Sequence, residues 1–199
     1  MSTREVVLVD AGGTNIGSLR YAFERLGIGV ELSADAARIR AASHVILPGV
    51  GAAAPGMARL REAGLVEVLR GLTQPVLGVC LGMQLLFEHS EEGDTPCLGI
   101  IPGRVRRIVG DEHRRVPHMG WNRLAIERCD ALLAGIDAHA WAYFVHGYAA
   151  AVDTHTLARV DHGESFAAIV RVRNFTGMQF HPERSSALGA RLLANFIAT

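Results

Sequence analysis

A chain of 199 residues suits one domain with a core of its own, and 49% apolar residues is enough to fill that core. Twenty basic side chains balance twenty acidic ones, so net charge gives no reason to expect a nucleic-acid or anionic-membrane partner. Cys80, Cys97 and Cys129 are odd in number and lack metal-ligand spacing; with no signal peptide and no long apolar span, the chain reads as a soluble, cytoplasmic protein in a reducing setting, without a bound metal. No linker, low-complexity segment or repeat divides residues 1–199, which are read as a single domain.

Residues 5–9 predict an apolar first strand, followed by glycine-rich turn chemistry at 10–15. Ile16, Leu19, Phe23 and Leu26 keep helical spacing, with Asn15 as N-cap and Gly27 as stop. Gly12-Gly13-Thr14-Asn15-Ile16-Gly17 does not fit the dinucleotide fingerprint, so no nucleotide site is read there. Residues 28–32 predict a second strand, 34–42 a short helix, and 44–47 a third strand ending in Pro48-Gly49-Val50-Gly51. Such alternation predicts an α/β fold of three layers, a mostly parallel central sheet with helices on both faces, whose sites lie at the carboxyl ends of strands. A loop with two glycines there can bring its backbone close to a substrate and offer N–H groups to an oxyanion, although an ordinary loop reads the same way.

Met57, Leu60, Leu65, Val68, Leu69 and Leu72 hold a helical period before Pro75 opens the central strand. Val76, Leu77 and Val79 form a short apolar run that ends at Cys80, and Met83, Leu85, Leu86 and Phe87 supply the core side of a helix ending near Glu88. Gly78 and Gly82 flank the cysteine, where a sharp turn needs backbone freedom and space beside the sulfur. A thiol on that joint meets a helix N-terminus, which favours thiolate, and the N–H of Leu81 can point at an oxyanion. A cysteine taken at random is usually a small buried hydrophobe; the flanking glycines and the strand-to-helix junction favour a nucleophile.

Residues 90–95 read as an exposed loop, and 98–121 as short β-like runs around Val105 and Val116, either antiparallel strands or an excursion from the main sheet. Pro117-His118-Met119-Gly120-Trp121-Asn122 suggests a binding or interface surface, against which a buried indole competes. Residues 140–148 predict a buried strand carrying His146, either a site residue or a satisfied core histidine. Residues 165–170 and 173–180 predict two strands joined through Arg173-Asn174. Then comes His181-Pro182-Glu183, where the alternation of an extended chain would turn imidazole and carboxylate the same way. A cysteine nucleophile needs a base, and the base an orienting partner; His181 and Glu183 fit those roles.

Gly78-Val79-Cys80-Leu81-Gly82-Met83-Gln84 together with His181-Pro182-Glu183 resembles the class I glutamine amidotransferase family. Pro48–Gly51, Pro117–Asn122, Tyr143-Phe144-Val145-His146 and the run from Gly177 to Ser186 are similar, more narrowly, to glutaminase subunits of imidazole glycerol phosphate synthases. The resemblance implies a flavodoxin-like sheet with a nucleophile elbow at a strand terminus, and no cofactor. It implies hydrolysis of L-glutamine to glutamate and ammonia by Cys80, His181 and Glu183, with ammonia passed to a (β/α)8-barrel cyclase subunit in a heterodimer for histidine biosynthesis. Backbone N–H groups of Leu81 and of Gly49, Val50 and Gly51 would be the oxyanion donors, and Gln84, Gly51, Gly147 and Tyr148 would hold glutamine. Asn15, Trp121, Tyr143 and Arg184 would face the partner. Two positions depart from the pattern: the first loop, Ala11-Gly-Gly-Thr-Asn15, and Gly147, where relatives often carry Ser or Thr. Other readings are a glutaminase for a different synthase, such as the pyridoxal 5'-phosphate one, a cysteine peptidase of similar fold, and a non-catalytic interaction module.

Overall fold

The computed structural model describes residues 5–10, 16–112 and 114–199. The expected N-cap and partner contact at Asn15, and most of the first loop, lie outside the described residues.

The first half of the chain alternates as expected: β1 (Val6–Val9), α1 (Ile16–Arg25), β2 (Val30–Ser33), α2 (Ala36–Ala41), β3 (His44–Leu47), α3 (Ala53–Glu62), α4 (Val66–Arg70), β4 (Val76–Val79) and α5 (Leu81–Leu86). Every residue of β1, β3 and β4 is buried, as an apolar run must be when helices cover both faces of a sheet. The pleat sends Val6 and Leu8 into one core with Leu19, Phe23, Leu192 and Phe196, and Val7 and Val9 into the other with Ile39, Leu60 and Leu69. The helix expected through Leu72 is broken: Gly64 takes φ +67°, and the chain turns between α3 and α4.

A second difference follows the elbow. Phe87, expected on the core side of the helix, begins a strand instead, β5 (Phe87–Ser90), which forms a hairpin with β6 (Thr95–Pro96), so the supposed loop at 90–95 is a tight turn between strands. Next come β7 (Ile101–Arg107), β8 (His118–Arg123), β9 (Ala125–Ile126), β10 (Trp141–His146) and β11 (Tyr148–Ala150). The excursion is thus real, although Val116 lies before its strand rather than in it. The stretch read as one buried strand at 140–148 is two strands in different sheets, divided at Gly147, and Trp141 is 53% exposed. The chain closes with β12 (Thr156–His162), β13 (Glu164–Val172), β14 (Phe175–Met178) and α6 (Ser186–Ile197). The turn between β13 and β14 sits at Arg173-Asn174 as expected, with Arg173 at φ +54°.

The main sheet runs β2-β1-β3-β4-β14-β13-β12-β9. Its first five strands are parallel and the rest antiparallel. Beside it stand a two-stranded ribbon, β8 with β10, and a four-stranded sheet, β11-β7-β5-β6. The parallel pairing of β4 with β14 aligns Val79 with Met178, so both strands end at the same level. That edge carries Cys80 and His181. Among the described residues no helix is long and apolar enough to cross a membrane.

Candidate active site

Cys80 sits between β4 and α5 with φ 53° and ψ −112°, a backbone conformation that costs a residue with a side chain on the order of 1–3 kcal/mol. Its neighbours hold it there. The Cys80 amide donates to Met178 O at 2.8 Å. Gly78 and Gly82 are needed for packing, since a Cβ on Gly82 would lie 1.9 Å from Leu47 O and one on Gly78 would lie 2.7 Å from Gly82 O. The left-handed turn expected of the glycines is taken by the cysteine itself. Gly49 presses on the same joint, because a Cβ there would come within 2.4 Å of Gly82 N.

A cleft of about 300 Å³ opens over the sulfur. It is lined by Cys80, Leu81 and His181 with Gly49, Val50, Gly51, Gln84, Gly147, Tyr148 and Arg184, which brings together nearly all the residues anticipated at the reaction centre and the substrate. The first N–H of α5 belongs to Leu81 and has no carbonyl within the helix to serve, which leaves it for a ligand. Glu183 stands behind the imidazole: His181 Nδ1 lies 2.9 Å from Glu183 Oε1. The pairing arises differently from the sequence argument. Pro182–Arg184 is a turn of 3-10 helix, so the chain curls the carboxylate back onto the ring instead of alternating in an extended strand.

Burial opposes a charge on His181, but its interactions with the Cys80 sulfur and the Glu183 carboxylate outweigh burial and raise the pKa to about 10. A bond to a carboxylate requires a proton on Nδ1, which leaves Nε2 to exchange a proton with the sulfur. Glu183 Oε2 is buried without a hydrogen-bond partner among the described residues. Removing the imidazolium would therefore strand a buried carboxylate.

One feature escaped the sequence reading. Glu92 lines the cleft, and its Oε2 accepts from Ala53 N at 2.8 Å at the start of α3. Its only sequence signal was a polar Glu-Glu-Gly-Asp run, which reads as an ordinary loop. Behind the cleft, His146 Nδ1 bonds Tyr148 O at 2.8 Å and its Nε2 faces His118 Nδ1 at 3.1 Å. His146 is thus a satisfied buried histidine that also borders the cleft.

Burial, reinforced by neighbouring imidazoles, lowers His118 to about 3; burial also lowers His146 to about 4, against the opposing pull of the Tyr148 carbonyl. In the unfolded chain both return toward 6.5, so between pH 6.5 and about 4 the unfolded state binds more protons. Their contribution is full above pH 6.5 and lost as pH falls, by about 1 kcal/mol per histidine per pH unit. His181 has the opposite sign: its contribution is full below pH 6.5 and is lost as pH rises toward about 10. Urea titrations should show the unfolding free energy falling from pH 6.5 to 5, before most carboxylates titrate; a flat profile there would count against neutral burial of the pair.

At the outer edge, Trp121 is 50% exposed rather than core. It meets Tyr143 edge-on with centroids 5.8 Å apart, and the Arg184 guanidinium lies 4.7 Å from the Tyr143 ring. The three expected partner contacts among the described residues thus form one continuous stack leading to the cleft.

Residues 7–199 match the sequence profile of the family Glutamine amidotransferase class-I. The chain is 58% identical over 193 residues to the imidazole glycerol phosphate synthase subunit HisH of Xanthomonas axonopodis pv. citri, covering 97% of this chain and 96% of that protein. It is 56% identical, with the same coverage, to HisH of Xylella fastidiosa strain Temecula1. Among solved structures, a crystal structure of a glutamine amidotransferase superposes with a TM-score of 0.75 at 21% identity, over 97% of both chains. A Thermoplasma acidophilum protein provisionally assigned to GMP synthase gives 0.76 at 17% identity, over 100% of this chain and 94% of that one. Those distant likenesses establish the shared architecture, and the sequence profile establishes the lineage: this chain belongs to the class I glutamine amidotransferase family.

Proposed function

We propose that this chain is the glutaminase subunit of an imidazole glycerol phosphate synthase, in which Cys80, His181 and Glu183 release ammonia from L-glutamine for a (β/α)8-barrel cyclase subunit. The observation that carries it is the convergence of an elbow cysteine, with His181 braced by Glu183, on one cleft of about 300 Å³. No cofactor enters the proposed reaction.

The substrate's ammonium lies against the Glu92 carboxylate and Gln84 Oε1, while its side-chain amide reaches the sulfur. The Cys80 thiolate attacks the amide carbon, and N–H groups of Leu81 and the Gly49-Val50-Gly51 loop receive the oxyanion. His181 Nε2 gives its proton to the departing nitrogen, so ammonia leaves and a thioester remains. Water then attacks the thioester as the same nitrogen takes a proton, and glutamate departs with the thiolate restored. Gly147 and Tyr148 supply main-chain contacts, so a side-chain hydroxyl after His146 is not required.

Trp121, Tyr143 and Arg184 mark the docking face for the cyclase, and the setting is cytoplasmic. Mixing the purified chain with the imidazole glycerol phosphate synthase cyclase, and separately with the synthase component of a pyridoxal phosphate synthase, tests the assignment through glutamate release. Release should be slow for the chain alone and rise at least about tenfold with the cyclase and its ligand. Stimulation by the other synthase alone, or fast release indifferent to either, would overturn it.

A further inference from the structure

The sheet itself selects one side chain to stand beside the nucleophile. Because Val79 pairs with Met178 in the parallel β4–β14 ladder, the next residues on the two strands, Cys80 and Gln179, leave the sheet side by side. Gln179 is fully buried, and its Nε2 lies 4.0 Å from Cys80 Sγ, a long contact within the range of hydrogen bonds to sulfur. On another side of the sulfur, Val145 O lies 4.0 Å away. The two contacts favour opposite states: a carbonyl accepts from a thiol and repels a thiolate, whereas an amide N–H donates to a thiolate.

Which end of the Gln179 amide meets the sulfur follows from an atom farther back. The Tyr148 carbonyl can only accept, so the group of Gln84 lying 2.9 Å from it must be Nε2. The second hydrogen on that nitrogen points to Gln179 Oε1 at 3.0 Å, which leaves Gln179 Nε2 for Cys80. The same carbonyl fixes a second branch. It accepts from His146 Nδ1–H, so His146 Nε2 is an acceptor and His118 Nδ1 carries the proton between them. His118 Nε2 is then the acceptor for Asn122 Nδ2 at 3.3 Å. Both histidines are held neutral, as a chain with one proton per link requires.

We propose that Gln179 is a positioning residue for the nucleophile: its Nε2–H, aimed by the Gln84 amide and the Tyr148 carbonyl, holds the Cys80 sulfur in its anionic, attacking position. This rests on the reading of Cys80 as the nucleophile. Gln84 then has two duties, since its Nε2 orients Gln179 while its Oε1 remains for the substrate's ammonium.

The test uses the chain in complex with its synthase partner, comparing wild type with Gln179→Met, which keeps length and loses the donor. Two quantities are read: kcat and KM for glutamate release, and the rate of iodoacetamide alkylation of Cys80 at neutral pH, scaled in the same digest to the exposed Cys129. The expected result is a fall of about tenfold in both kcat and the Cys80-to-Cys129 ratio, with KM within about threefold. A merely structural role would lower the melting temperature and leave that ratio unchanged. Gln179→Met with kcat and ratio within about twofold of wild type would overturn the proposal. If that variant does not fold, Gln179→Leu, which is also buried without a donor, carries the test with the same expected loss and the same overturning result. Cys80→Ala separates the two failures: glutamate release by that variant removes the nucleophile and this proposal with it, whereas a dead Cys80→Ala beside a fully active Gln179→Met removes this proposal alone.

Discussion

Cys80→Ala is expected to lower glutamine-dependent turnover of the assembled synthase by at least about a thousandfold, while turnover with added ammonium stays near wild type. The sulfur is the only atom removed, and alanine keeps the Cβ, so it enters the same left-handed position without a new clash and carries the same backbone strain. No water bound in its place could form the thioester; removing the attacking atom leaves only binding and the oxyanion donors, which act weakly alone. Under the proposed division of labour the ammonium reaction takes place in the partner and needs this chain only as a folded body. Both activities should be measured on one preparation, and glutamate release above a few per cent of wild type would refute the role given to Cys80.

Gly82→Ala is expected to cost about 3 kcal/mol or more, which for a chain of this size lowers the melting temperature by about 6–12 °C. The new methyl would sit 1.9 Å from Leu47 O and 2.8 Å from Leu47 C, both backbone atoms of a fully buried strand, so β3 or α5 must move. Activity should be lost as well, because β3 leads into Gly49, which packs on the same joint. Gly29→Ala is the control: nothing among the described residues lies within 4 Å of its added Cβ, and its effect should be within about 1 kcal/mol, on the stabilising side if anything. Scanning calorimetry on both variants would decide, and a Gly82→Ala midpoint within about 2 °C of wild type would show that the elbow is looser than these distances imply.

Much of the fold and site could be read from local signals. β1, β3 and β4 are built on short apolar runs, Val6–Val9, Val45–Leu47 and Val76-Leu77 with Val79, because each face of each strand meets a different core, and such runs carry their own evidence. The sharp strand-to-helix turn at Cys80 is likewise legible in the residues immediately around it. The errors lie where the deciding contact is distant. Phe87 continues the helical period of Leu85 and Leu86 by composition, yet it leaves the helix to pair with Ile101. Residues 140–148 look like one strand, but the halves bond to different partners, β8 and β7, neither adjacent in sequence. β12 went unread because its partners β13 and β9 give it its meaning. α6 is another case: Leu192, Leu193, Phe196 and Ile197 form a readable helical stripe that the motif at His181 overshadowed.

The site divides in the same way. That Cys80, His181 and the glycine loop share one cleft is expected from their chemistry and spacing. Gln179 could have been found only by aligning β14 with β4, since glutamine in an apolar run has no chemical signature of its own. Glu92 belongs to a turn whose approach to α3 is a tertiary fact. The His181–Glu183 pair is expected from extended alternation but arises from a turn of 3-10 helix, closed by Arg184 N to His181 O and Ser185 N to Pro182 O.

Three hydrogen bonds join the ribbon to the base. His181 N donates to Tyr143 O at 3.0 Å, Tyr143 N donates to Ser185 Oγ at 3.0 Å, and that hydroxyl donates to His181 O at 2.7 Å. The circuit runs through three residues, Tyr143, Ser185 and His181, and ties the main chain at 181 to the ribbon through both its N–H and its carbonyl. Trp121 rides on the strand paired with β10, so the outer face of the ribbon and the backbone of the histidine beside the sulfur share one hydrogen-bonded frame.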